Sequence, residues 1–200
     1  MRGLKELLVD RTSISRFHFQ KDSMTMLKTL SACECKNLTE LSDQLPYLKS
    51  LKYLALDGTG IVTLGESIGS LEKLKTLSLK ECKGLSNLPD DIGKLRSLQF
   101  LDLTDTPIRE LPSVKNLKDM KVLKMRGTSI REFPGDILNL KKLEEIDFTS
   151  CRSLAGKIPD DIGRLSSLAI LKLSNTRISG QLPPSISRLS RLREIHISGC

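Results

Sequence analysis

The residues of this 200-residue chain that could do chemistry are two adjacent carboxylate pairs, Asp90-Asp91 and Asp160-Asp161, and five cysteines with two histidines. Paired carboxylates can divide general-acid and general-base work when their surroundings push their pKa values apart. Each pair here follows a proline (Pro89, Pro159) and precedes an isoleucine (Ile92, Ile162). Acidic side chains in that place are expected to cap a helix start, accepting from amides with no partner inside the helix. A Cys–His nucleophile needs the two groups within hydrogen-bond reach. Cys33 and His196 lie seven units of the pattern apart, on the order of 34 Å at the spacing of neighbouring strands. His18 is expected at the surface. Cys35, Cys82, Cys151 and Cys200 share one position of the pattern, where small buried thiols fit. No CxxC stands beside a histidine cluster, so no metal site is expected. Cys33 and Cys35, one residue apart, are expected on opposite sides of a strand. No GxxxxGK[ST] phosphate loop occurs. Catalysis and a cofactor are not expected.

These residues are positioned by a pattern that recurs along the whole chain. In LKTLSLKECKGLSNLPDDIGKLRS, from Leu74 to Ser97, the alternation of Leu77 and Leu79 suits a short strand with one buried face. After Pro89, the apolar residues Ile92, Leu95 and Leu98 follow helical spacing. One strand and one helical turn cannot bury their own leucines; they become stable when a like unit stacks on each side. Equivalent starts fall at Leu4, Leu27, Leu51, Leu74, Leu98, Met120, Leu143, Leu168 and Leu192, at intervals of 22 to 25 residues. The expected fold is an α/β solenoid over residues 1–200, a single domain of eight complete units and a truncated ninth. It should coil right-handed, with a parallel inner sheet and short helices or extended segments outside. Such an architecture binds; it does not name its ligand.

The units are not identical. In the first, Phe17-His18-Phe19-Gln20-Lys21 replaces a Leu-Pro segment, and Lys21 stands where an apolar residue is expected. Two types then interleave: Cys35, Cys82 and Cys151 precede the next apolar residue by three positions, whereas Thr12, Thr59, Thr106, Thr128 and Thr176 precede it by two. Either side chain fits a tight corner where a small donor satisfies a backbone carbonyl. The segments Leu154-Ala155-Gly156-Lys157-Ile158-Pro159 and Ile178-Ser179-Gly180-Gln181-Leu182-Pro183 each gain a residue and a glycine, room for a second short strand on the outer edge. Both ends lack a polar capping unit, so a fragment of a longer protein, or a truncated gene product, is expected.

Composition supports a folded, soluble chain. Charged residues make up 28% and hydrophobic ones 38%, with aromatics at 4% and no tryptophan. The formal charge of +8 raises the question of nucleic acid. The cations recur with the repeat period, however, as in Lys73 and Lys75, Lys94 and Arg96, and Lys141 and Lys142, and read as the solvated edge of each unit. Neither nucleic acid nor membrane is an expected partner. No signal-like apolar segment opens the chain, and five thiols, an odd number, suit a reducing compartment. A cytoplasmic location follows as an expectation.

The phrases LKTLSLKECKGLSNLPDDIGKL and LQFLDLTDTPIRELP carry a resemblance to the leucine-rich-repeat region of plant intracellular nucleotide-binding immune receptors, most of all the class with a Toll/interleukin-1-receptor domain. The Gly-containing units resemble those of plant receptor kinases and receptor-like proteins. The LPxxIxxLxxLxxL half of the pattern is shared with intracellular Ras-group repeat proteins. The first resemblance implies sensing of pathogen effectors, or contact with sister domains that restrains signalling. The others imply a scaffold for small-GTPase or phosphatase signalling, or an ectodomain that binds a peptide. In each case the partner is a protein, met by side chains between the buried strand residues. Tyr53, Lys80, Phe100, Asp102, Lys124, Arg126, Asp147 and Lys172 are the candidates on that inner surface. Exposed Tyr53 and Phe100 beside Lys124 and Arg126 are residue types that anchor interfaces.

Overall fold

The computed structural model describes residues 3–41 and 43–200. Nine strands of three residues form one sheet: β1 (Glu6–Leu8), β2 (Thr29–Ser31), β3 (Tyr53–Ala55), β4 (Thr76–Ser78), β5 (Phe100–Asp102), β6 (Val122–Lys124), β7 (Glu145–Asp147), β9 (Ile170–Lys172) and β11 (Glu194–His196). Their order in the sheet is their order in the chain, and every pairing is parallel. The short strands β8 (Ala155–Gly156) and β10 (Arg177–Ile178) pair separately and in parallel. They lie in the two Gly-containing segments, where the second strand was expected.

Alternation sets the faces. The middle residue of each inner strand points into the solenoid: Leu30, Leu54, Leu77, Leu101, Ile146 and Leu171 are fully buried, and Leu123 nearly so. With Ala32, Leu56, Leu79, Leu103, Met125, Phe148 and Leu173 they join a single apolar cluster that runs through the coils. In the first coil the pair that replaces Leu-Pro also turns inward. Phe17 and Phe19 are buried and stacked, with ring centroids 5.3 Å apart, and the Phe19 amide donates to Gln44 Oε1 over 2.6 Å. His18 between them is exposed.

Each strand leaves the sheet through one left-handed residue. Arg11, Glu34, Gly58, Glu81, Asp105, Gly127, Ser150, Asn175 and Gly199 occupy the same place in successive coils, with φ between 57° and 72°. The amide of each of the first eight donates to a carbonyl of the following coil, as Glu81 N to Thr104 O over 2.8 Å. The geometry is required by the corner, and six of the nine residues adopt it with a Cβ. This column also separates Cys33 from Cys35: both lie past the end of β2, with Glu34 turning between them, so a corner rather than strand alternation buries one and leaves the other partly exposed.

The interleaving of threonine and cysteine units has a structural reason. The Thr59 hydroxyl donates to Leu56 O over 2.8 Å, and Cys82 Sγ, from the next coil, reaches the same carbonyl at 3.1 Å. Thr12 with Cys35 converges likewise on Val9 O, Thr128 with Cys151 on Met125 O, and Thr176 with Cys200 on Leu173 O. A carbonyl has two lone pairs, and each strand-exit carbonyl here uses one for its own coil and one for the next. The four couples also bring each Sγ within 3.3–3.4 Å of the paired threonine oxygen.

The outer side is built from 3-10 turns of five residues at Glu66–Ser70, Asp90–Lys94, Gly135–Asn139, Asp160–Arg164 and Pro184–Arg188, with a shorter one at Leu45–Tyr47. The expected carboxylate caps are absent. Pro89 and Pro159 hold the cap positions without a side-chain cap bond, and their carbonyls accept from Ile92 and Ile162. Asp90, Asp91, Asp160 and Asp161 sit inside the first turn instead. A 3-10 turn closes i to i+3 and is short, so Asp91 turns to Lys94 at 2.8 Å and Asp161 to Arg164 at 3.5 Å.

Two outcomes test this architecture. Leu101→Asp places a charge in the shared spine, where a buried leucine contributes about 1.5–3 kcal/mol and an unpaired charge costs several more. Amides of β4 to β6 should lose hydrogen-exchange protection, and a melting curve like the wild type would contradict the inward assignment. At the left-handed corner, Ser150→Gly should stabilise by about 0.5–1 kcal/mol and Gly127→Ala should destabilise by about 1–2 kcal/mol. An added Cβ at Gly127 would also press on Asp105 Oδ1. Urea titrations of both variants measure the contrast.

Candidate functional site

With the middle residue of each strand buried, its two neighbours face outward on the sheet. The first row reads Glu6, Thr29, Tyr53, Thr76, Phe100, Val122, Glu145, Ile170 and Glu194 across the strands. The second reads Leu8, Ser31, Ala55, Ser78, Asp102, Lys124, Asp147, Lys172 and His196. Nine strands at about 4.8 Å make an arc of roughly 40 Å. Several hundred Å² of flat sheet suits a macromolecular partner, which uses about 800 Å² on each side. A recess of about 550 Å³ lies off this face, open to solvent between Gly69, Glu72, Gly93, Lys94, Arg96 and Asn116, and lacks the apolar lining of a small-molecule pocket.

The candidate residues divide by what already engages them. Tyr53 is 47% exposed. Phe100 is not equally free: it is half-buried, and Lys124 Nζ lies 5.6 Å from its ring centroid. Lys124 reaches it from the neighbouring strand, where its partner in register is Asp102. A cation over an aromatic face is attracted by the ring quadrupole, so Phe100 and Lys124 form one composite feature rather than two. Arg126, exposed, follows at the exit of β6. Lys80 is exposed and stands 3.5 Å from Glu81.

The second row alternates in sign from Asp102 through Lys124 and Asp147 to Lys172, yet the carboxylates turn elsewhere. Asp102 Oδ1 accepts the Thr104 amide and Asp147 Oδ1 the Thr149 amide, each over 2.9 Å. These close the strand ends in the manner of an Asx turn. Lys172 Nζ donates to Glu145 Oε1 over 3.1 Å, and that bond to the carboxylate pushes the lysine pKa up. Asp102, Asp147 and Lys172 are therefore engaged within the sheet, whereas Tyr53, Lys80, Arg126 and the Phe100–Lys124 pair present groups to solvent. Leu8, outside the candidate set, is 61% exposed on the same face; its place in the second row of the pattern was the available signal.

Asp57 shows how the sheet holds a charge. Its Oδ1 accepts the Ser78 hydroxyl and the Lys80 amide of the next coil. Burial nevertheless pushes the carboxyl above the usual carboxylate range, against the pull of those two bonds. Asp10 has the same arrangement two coils earlier, accepting from the Ser31 hydroxyl and from the Cys33 amide. Burial also raises the thiols of Cys33, Cys82 and Cys151, which keeps them protonated at neutral pH. Cys33, just past the end of β2, and His196, on β11, stand at opposite parts of the sheet, too far apart for a nucleophile–base pair.

Comparison with known proteins agrees with this geometry. Residues 4–101 and 81–155 match the family described as leucine-rich repeat region, and residues 167–189 match a single leucine rich repeat. Receptor like protein 22 of Arabidopsis thaliana is 41% identical over 63 residues, which are 32% of this chain and 8% of that protein. The chain thus spans a small part of that curated relative. Among solved structures, the leucine-rich repeat domain of the type III effector XopL superposes with a TM-score of 0.82 at 28% identity, covering 98% of this chain and 77% of that one. A TDR receptor superposes with a TM-score of 0.76 at 26% identity, over 86% of this chain and 30% of that one.

The raised Asp57 carboxyl gives a pH signature. The folded protein holds that proton more tightly than the unfolded chain, so the charge costs stability at neutral pH and the cost fades as pH falls through the raised value. Asp57→Asn keeps an oxygen for Ser78 and Lys80 and removes the charge. It should raise stability at pH 7 by less than about 1 kcal/mol, discounted for its partial exposure, and by less still near pH 4. Urea titrations at the two pH values measure the difference; an equal effect at both would contradict the burial origin.

Proposed function

The chain belongs to the leucine-rich-repeat family, and on that premise we propose that the outward face of its nine-stranded sheet recognises a protein partner. The observation that carries this reading is the set of side chains that face holds toward solvent: exposed Tyr53 and Arg126, and the composite of the Phe100 ring with Lys124 over it. Large aromatics and arginine contribute most to interface energy, and the sheet holds them on a rigid backbone that loses little entropy on binding.

In its finer form, the partner is a pathogen effector or a sister domain of a plant immune receptor, and binding governs the receptor's signalling. A cytoplasmic location accompanies this form. The free thiols at Cys33, Cys35, Cys82, Cys151 and Cys200 are at home in a reducing compartment. A second reading, a receptor ectodomain that meets a peptide, draws on the likeness to Receptor like protein 22 and on the outer β8–β10 pair. The class of partner, a protein chain on the sheet face, is common to both.

A photo-crosslinking amino acid placed at Tyr53 or Lys124 should capture a partner protein from plant tissue, and one placed at exposed Asn87 on the outer side should not. The double variant Tyr53→Ser, Phe100→Ser should reduce capture about tenfold or more while leaving the melting curve in place. Adducts formed at Asn87 as readily as at Tyr53, or unchanged capture by the double variant, would reject the face.

A further inference from the structure

The residue entering each strand forms its own column, and its first four members are lysines. The Lys28 amide donates to Lys5 O over 2.7 Å, Lys52 to Lys28 O over 2.8 Å, and Lys75 to Lys52 O over 2.8 Å. Backbone bonds thus stack Lys5, Lys28, Lys52 and Lys75 on adjacent coils, about 4.8 Å apart. Lys49 and Lys73 stand just before the strands of the same coils and are exposed. Among the described residues, none of these six ammonium groups has an ion-pair or side-chain hydrogen-bond partner.

The rest of the column behaves differently. It continues through Gln99 to Lys121, whose ammonium pairs with Glu144 of the next coil at 3.3 Å, and Lys142 beside it pairs with Asp119 at 2.7 Å. The repeat period alone would give every coil the same solvated edge. Instead Lys121 of this column meets a carboxylate of the next coil, whereas Lys5, Lys28, Lys52 and Lys75 meet none. Four like charges within about 14 Å, with neighbours closer than the screening length of about 8–10 Å, repel one another. Like charges directly opposite on neighbouring strands destabilise a sheet. Among the described residues, no ion pair to these six ammonium groups offsets that cost.

We propose that this lysine stripe docks an acidic, extended protein segment of about four to six residues with aliphatic side chains among its carboxylates. The inference deepens the protein-recognition reading by naming the chemistry of the partner, and rests on it. The aliphatic component follows from the apolar groups of the same first coils: Met26, two residues before Lys28, is 46% exposed, and Leu8, across the first row of the sheet from Lys5, is 61% exposed. Apolar side chains gain from such contact, while a phosphodiester strand gains from a row of aromatic rings to stack on. Tyr53 is the one aromatic among the exposed large hydrophobic residues described. Charge complementarity would also speed encounter and make it sensitive to salt.

The probe is a fluorescent peptide of about ten residues alternating glutamate and leucine, set against an oligo-dT of matched charge, read by anisotropy with the full chain. Lys28→Glu with Lys52→Glu should weaken the peptide about tenfold or more. Lys115→Glu with Lys157→Glu, which changes the net charge equally at exposed sites off the stripe, should leave it within about twofold. Wild-type affinity should fall between about 50 and about 300 mM salt. Should the reversed pair fail to fold, Lys28→Gln with Lys52→Gln keeps the test, with a weakening of about fivefold expected. Absence of peptide binding, equal losses in both charge-reversed variants, or tighter binding of oligo-dT would overturn the proposal. Intact peptide binding with no crosslink at Tyr53 strikes the sheet-face reading alone, and a crosslink without peptide binding strikes the stripe alone.

Discussion

The structure depends on one constraint: no coil can bury its own leucines. A strand of three residues and a short outer turn enclose no interior, so each inward side chain is shielded only by the coils before and after it. The burial pattern follows this. The middle residues of β2 through β9 in the main sheet are buried, whereas Leu7 of β1 and Ile195 of β11, each with one neighbouring strand, are half-buried. Stability is therefore a property of neighbouring pairs, and damage at one coil reaches the next.

The same constraint governs the polar groups. A parallel sheet of three-residue strands ends abruptly, and its exit carbonyls fall where water is excluded. Threonine and cysteine of successive coils close on Leu56 O and Met125 O from two sides. Asp57 does comparable work toward the next coil by accepting from Ser78 and Lys80, at the cost of a partly desolvated charge. Much of the polar surface of the sheet thus serves the solenoid itself. What remains for a partner is a smaller set centred on Tyr53, Lys124 over Phe100, and Arg126, bordered by the unneutralised lysines of the first coils.

Much of the fold was legible because its signals are local and repeat. Leu77 and Leu79 announce a strand face by alternation, and the glycines at 156 and 180 announced the second sheet by lengthening their units. The corner column was not legible: Glu81, Asp105 and Ser150 adopt a left-handed backbone without the glycine that would have marked it. The aspartate pairs misled for a related reason. Asp90-Asp91 has the composition of a helix cap, but the turn is a 3-10 segment whose proline carbonyl already accepts from Ile92. The pattern placed the candidate contact residues on the outward side of the sheet, yet it could not tell that Asp102 turns to its own strand end while Lys124 turns to Phe100.

The sequence by itself determined which side chains point inward, how many strands line up, and that they line up in chain order. Period-two alternation and a repeat of 22 to 25 residues leave little freedom in any of these. The tertiary structure alone decided which outward groups are engaged and which are free. Many side-chain partners belong to another coil, some two dozen residues away, and only the stacking decides whether a lysine meets a glutamate, as Lys121 meets Glu144, or is stacked by its backbone beside another lysine, as Lys28 and Lys52 are.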